Sequence, residues 1–129
     1  MPKITDTPPK PTAAELNLLR VIWQLGPATV KDVLAARLPE LPELNYGTVL
    51  RLMQVMHGKG LLTRDESQHS HVYTAAHAQQ ALQSNLLNEL IARVFDGSGK
   101  KLVLAALSGH VSQTERAEIQ RFLKDNPDA

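Results

Sequence analysis

The chain has 129 residues, 43% of them hydrophobic but only 4% aromatic, with a net charge of +1 and no cysteine. That is material for one domain, or a small domain with an appendage, around a core of Leu, Val, Ala and Met. It excludes disulfides, thiolate metal sites and cysteine nucleophiles and fits a reducing cytoplasm. No apolar run reaches the ~20 residues that span a bilayer, so no membrane insertion is expected. Because the charges nearly cancel, any case for nucleic acid must rest on where the cations sit.

The first eleven residues, MPKITDTPPKP, are polar and proline-rich without an apolar run. They are expected to form a flexible arm rather than a signal peptide. Thr12 with Glu15 makes a capping box, and Leu16, Leu19, Ile22 and Trp23 follow at helical spacing until Gly26-Pro27 stops the helix. A second helix is predicted from Thr29 as N-cap, with Val30, Val33, Leu34 and Leu38 facing in, and Pro39 and Pro42 bracket a loop. A third runs from about Asn45 to Gly58. The period then changes. LLTRDESQHSHVYT alternates over two short runs around a polar DESQ, which predicts a β-hairpin. From Ala75 the chain returns to a long helix with Leu82, Leu86, Leu87, Leu90, Ile91 and Val94 on one face. DGSG breaks it, and two shorter helices follow, the last opened by a second capping box of Ser112 and Glu115.

Three short helices followed by a two-stranded wing is the winged-helix arrangement, a helix-turn-helix variant. The expected fold is therefore mainly α with a small β wing. Its divisions are an arm over 1–11, a winged-helix DNA-binding domain over 12–74 and helical dimerisation elements over 75–129. The last segment carries much apolar surface on too little chain to bury it. It is expected to pack against a second copy through its long-helix stripe, joined by Leu102 and Leu104 of the next helix and Ile119 and Leu123 of the last.

The third helix carries the functional signal. From Asn45 to Arg64 there are three cations, Arg51, Lys59 and Arg64, and no acid. With Val49, Leu52, Met53 and Met56 inward, the opposite face holds Gly47, Arg51, Gln54 and Gly58, with Thr48 at its edge. Arg can fork onto a guanine edge and Gln can pair with adenine, whereas a carboxylate would be repelled by the phosphate backbone. Lys59 and Arg64 sit at the helix exit, where a duplex backbone would pass. A solvated face, or a winged helix used only for protein contacts, would show the same residue types.

Other chemistry is thin. His69 and His71 form an H-x-H on a predicted strand, both rings to one face, with His77 near in sequence. A polar wing surface is the better reading, so no metal and no cofactor are expected, though a metal-responsive regulator stays open. Asp65-Glu66 reads as a solvated turn. No Ser-His-Asp spacing, phosphate loop or H-E-x-x-H appears, and no enzyme is expected.

LNLLRVIWQLGPATVKDV, YGTVLRLMQVMHGKGLLTR and HVYTAAHAQQAL together resemble the penicillinase repressor family (BlaI/MecI/CopY) over about residues 12–125. Trp23 to Val33, Thr48 to Leu50 and Lys59 to Leu61 carry the likeness. The resemblance implies a cytoplasmic homodimeric repressor that binds an inverted-repeat operator in double-stranded DNA and is released by proteolysis, through a membrane sensor-protease, or by another signal. By position, Tyr46 and Thr48 match DNA-facing residues. Gly47 replaces a usual Ser or Thr, Arg51 a usual Thr, and Val55 a frequent Arg. In the wing His69 stands where Arg is frequent and Tyr73 is retained. The family's Asn-Phe cleavage bond corresponds to Ala105-Ala106, and the Cys-x-Cys of copper-responsive members has no counterpart.

Overall fold

The computed structural model describes residues 9–128. Most of the expected arm, residues 1–8, lies outside them. The element order is α1 (Ala13–Leu25), α2 (Val30–Arg37), α3 (Tyr46–Gly58), β1 (Leu62–Asp65), β2 (Val72–Ala75), α4 (Gln79–Arg93), α5 (Gly99–Leu107) and α6 (Gln113–Asp125). The chain divides into two compact units, one ending at Leu86 and one beginning at Leu87.

Short-range chemistry sets the helix starts of the first unit. Thr12 Oγ1 accepts from the Glu15 backbone N–H at 3.2 Å, and Glu15 Oε1 accepts from that of Thr12 at 2.8 Å. Thr29 and Asp32 make the same reciprocal pair at the start of α2. Asn45 caps α3 by accepting from the Thr48 backbone N–H at 2.9 Å. Each such cap supplies acceptors for N–H groups that a helix leaves unpaired in its first turn, typically worth ~1 kcal/mol. Gly26, at φ 78, turns the chain out of α1, a left-handed backbone that costs glycine nothing.

The core is closed by residues from every element of this unit. Leu19 and Ile22 of α1, Val33 of α2, Val49, Met53 and Met56 of α3, and Tyr73 of β2 are fully buried. Each side chain of this size gains roughly 1.5–3 kcal/mol by leaving water. The strands pair antiparallel with Leu62 opposite Ala75 and Arg64 opposite Tyr73. A further short segment joins the wing: Ala28 and Tyr73 exchange both backbone hydrogen bonds, at 2.8 and 2.9 Å. Trp23 Nε1 donates to the His77 carbonyl at 3.0 Å, fastening the chain that leads into α4.

Several expectations are corrected here. Leu38 is exposed, because α2 ends at Arg37 and Leu38 is its C-cap. Leu52 is only half-buried. His69 and His71 lie in the loop before β2, not on a strand, so alternation does not point their rings together. The first unit runs past the expected boundary at Thr74, because Leu82 of α4 is 3% exposed within its core and Leu86 packs against that core.

The second unit holds the end of α4, α5 and α6. Asp96 (φ 55) and Gly97 (φ 78) make the turn after α4, and Ser98 caps α5. Ser112 and Glu115 form the capping box of α6, as the sequence predicts. The capping bonds hold the Glu115 carboxyl below its ordinary pKa. Neither α5 nor α6 contains a buried residue.

Candidate nucleic-acid interface

The inner face of α3 fixes the helix and its outer face is left clear. Val49, Met53 and Met56 are 0% exposed, whereas Tyr46, Gly47, Arg51, Gln54 and Val55 are exposed. Arg51 has no ion-pair partner among the described residues. Thr48 is half-buried and its hydroxyl donates to Asn45 Oδ1 at 3.1 Å, so part of its bonding capacity serves the helix cap. A Cβ on Gly47 would meet only Asn45 Oδ1 at 3.5 Å, and nothing lies near Gly58. The fold therefore does not itself require either glycine.

A cleft of about 270 Å³ separates α3 from the wing tip. Its lining includes Tyr46, Leu50 and Gln54 of α3, His69, Ser70 and His71 of the loop before β2, and Thr29 and Lys31 at the start of α2. Lys31 was not among the sequence candidates. Its signal was its position two residues after the Thr29 N-cap, where a cation stands beside unpaired helix N–H groups. No group of three or more potential metal ligands occurs among the described residues.

Two of the expected phosphate contacts are otherwise engaged. Lys59 Nζ donates to Glu15 Oε1 at 2.6 Å, and the Glu15 carboxylate is buried. Thus α3 and its exit are free of acids in sequence, but the fold brings one from α1. Burial alone would push the Glu15 carboxyl up, but hydrogen bonds from Lys59 and Thr12 and the Lys59 charge outweigh it, so its pKa is lowered. Arg64 pairs with Glu66 at 2.8 Å and lies over the Tyr73 ring at 6.0 Å. Its hydrogen bond to Tyr73, opposed by desolvation and helped by Glu66, raises its pKa. Arg64 therefore serves the wing, and Tyr73 belongs to the core rather than to an outer surface.

Among the apolar candidates, Leu82 lies in the core of the first unit and Leu86, half-buried, packs against that core. Leu87 and Leu90 of α4, Leu104 of α5 and Leu123 of α6 are exposed, as is Val94, which lies in the turn after α4 rather than on the helix as expected, while Ile91, Leu102 and Ile119 are half-buried. Val103 and Phe122, also exposed, extend this apolar surface and were not singled out from the sequence.

The penicillinase repressor family model matches residues 11–125. The chain belongs to the penicillinase repressor family. Its members are DNA-binding transcriptional repressors, a class of regulators rather than enzymes. A solved structure with the same architecture is the DNA-binding domain of the repressor BlaI, at 19% identity and a TM-score of 0.51, covering 60% of this chain and 93% of that one. At that identity it bears on the fold alone, the winged helix. No curated protein matches the chain. No helix among the described residues is long and apolar enough to cross a membrane.

Proposed function

We propose that this repressor is a sequence-specific homodimer that binds an inverted-repeat operator, one α3 to each half-site. The observation that carries the reading is the division of α3 into a locked inner face and an outer face presenting Arg51 and Gln54 without a carboxylate. An arginine fork suits the guanine edge and a glutamine amide suits adenine, and both reach base edges in the major groove. Tyr46, Gly47 and Thr48 at the start of the helix face the same groove. Lys31 and His69, across the cleft, are placed for the phosphate backbone, which positions a protein without specifying sequence.

The dimer rests on the second unit. Helices without a fully buried residue, with Leu90, Val94, Leu104 and Leu123 exposed, offer the apolar surface that an obligate interface covers. Joining two half-site readers makes the second binding event intramolecular and so raises avidity. Induction then needs only to part the two copies. Ala105-Ala106 of α5 does not offer the family's Asn-Phe bond, so release of this cytoplasmic repressor falls to cleavage elsewhere in the chain by a membrane sensor-protease, or to another signal.

The test is selection of duplexes from a random pool, followed by gel shift of the winner and sedimentation of the free protein. A palindromic winner bound by a dimer supports the reading. A monomer at micromolar concentration, or no enrichment of any duplex, overturns it and leaves a winged helix that recognises protein.

A further inference from the structure

Glu15 is the one buried charged residue among the described residues, and its carboxylate joins two distant parts of the first unit. Oε1 accepts from the Thr12 backbone N–H at 2.8 Å and from Lys59 Nζ at 2.6 Å, across 44 positions of sequence. Lys59 is the C-cap of α3, and its backbone N–H donates to the Val55 carbonyl at 2.9 Å. Gly60 follows at φ 84, and the Leu61 N–H returns to the Met56 carbonyl at 2.9 Å. Leu61 and Leu62 then enter the core. The residue that Glu15 holds is thus the point where the recognition helix ends and the wing begins.

A buried ion pair gains little stability over apolar residues of the same volume, but its geometry is directional. A hydrocarbon contact at this place would let α3 slide or turn on its core face. A carboxylate already fixed by the helix cap of α1 restricts where Lys59 can lie. The pair also cancels the Lys59 charge at the edge of the proposed duplex surface.

We propose that Glu15 is a positioning residue for DNA recognition: through Lys59 it sets α3 and the wing against α1, and so sets the aim of Arg51 and Gln54. This rests on the DNA-reading proposal above. Glu15→Gln keeps the volume and the acceptor for Thr12 while removing the charge. Lys59→Met keeps the stem and removes the ammonium.

The experiment measures, for the full chain and these variants, affinity for the selected duplex and for a scrambled one over a series of salt concentrations. The expected result is that both variants lose about tenfold in discrimination between the two duplexes, the size of one mismatched pair. Affinity for the scrambled duplex and the slope of log affinity against log salt should stay at the wild-type values. The double variant should be no worse than Lys59→Met alone, because the two residues act as one unit. The proposal is overturned if Glu15→Gln discriminates like wild type. It is equally overturned if Lys59→Met weakens both duplexes alike and makes the slope shallower by about 0.9 per subunit, the mark of a lost phosphate contact. Should Glu15→Gln fail to fold, Lys59→Met decides alone by those two readouts. A wild type that does not discriminate would sink the DNA-reading proposal itself, a result distinct from either.

Discussion

The two units of this chain solve the same problem in opposite ways. Up to Leu86, apolar side chains from three helices, two strands and the start of α4 converge on one core, and Val33, Val49, Met53 and Met56 are wholly shut from water. Beyond Leu86 the helices α5 and α6 are as well capped as those of the first unit, yet neither contains a buried residue. Capping starts a helix, but it does not supply a place for its apolar face. In water most helical stability comes from packing that face. The first unit has what it needs within itself, whereas the second leaves its apolar faces uncovered, which is the ground for the proposed dimer.

The comparison can be broken hardest at Met53. Truncation to Ala should destabilise the first unit by about 2–5 kcal/mol, the usual cost of a large-to-small change in a filled core. The midpoint of urea unfolding followed at Trp23 reports it. A loss under 1 kcal/mol would mean the core is looser than its burial suggests.

The second unit should respond differently. Leu104→Asp puts a charge on an apolar face and should weaken dimerisation by about 2–3 kcal/mol, since burying an unpaired carboxylate is unfavourable. Sedimentation should show the shift to monomer, while the unfolding midpoint reported by Trp23 moves little. Leu86→Asp is instructive beside it: because Leu86 packs on the first unit, its loss should show in that unit's stability as well.

Arg51→Ala sharpens the contrast between fold and surface. It should remove about 1–3 kcal/mol of discrimination at one position of each half-site, with stability and dimerisation unchanged. Identical preferred sequences with uniformly weaker binding would instead make Arg51 a phosphate clamp.

The smallest effect is acid sensitivity. The Glu15 pKa is lowered from its ordinary 4.5, so its contribution to stability is present above that value and fades as pH falls through the folded-state value. Between about pH 5 and pH 3 the wild type should therefore lose more thermal stability than Glu15→Gln. Parallel melting curves over that range would contradict the assignment.

Where the sequence was readable, the signal was local. The capping boxes at Thr12 and Ser112, the N-cap Thr29 and the Val49–Met53–Met56 stripe all act over one or two helical turns, and each stands where the residues predict. Glu15 marks the limit. As a capping residue it was visible; as the partner of Lys59 it was not, because nothing in the sequence brings position 15 to position 59. Lys59 and Arg64 were assigned to phosphate for the same reason, since a cation shows its charge in the sequence but not its neighbour. The leucines of α4 were read as one stripe serving one partner, but Leu82 and Leu86 serve the first unit. Alternation through His69 and His71 suggested strand, but the ladder begins only at Val72.

The pairing of Ala28 with Tyr73 has a consequence for how the protein behaves in a crowded solution. A two-stranded ribbon has two open sides, each a row of backbone donors and acceptors on which a strand from another molecule can build. On β2 that side is partly taken, because the Tyr73 N–H and carbonyl are both satisfied by Ala28, and Pro27 just before it has no N–H to extend the row. β1 keeps an open side, but it is four residues long and carries Arg64 and Asp65, a short charged edge of the kind that discourages strand addition. The wing is thereby a poor template for aggregation.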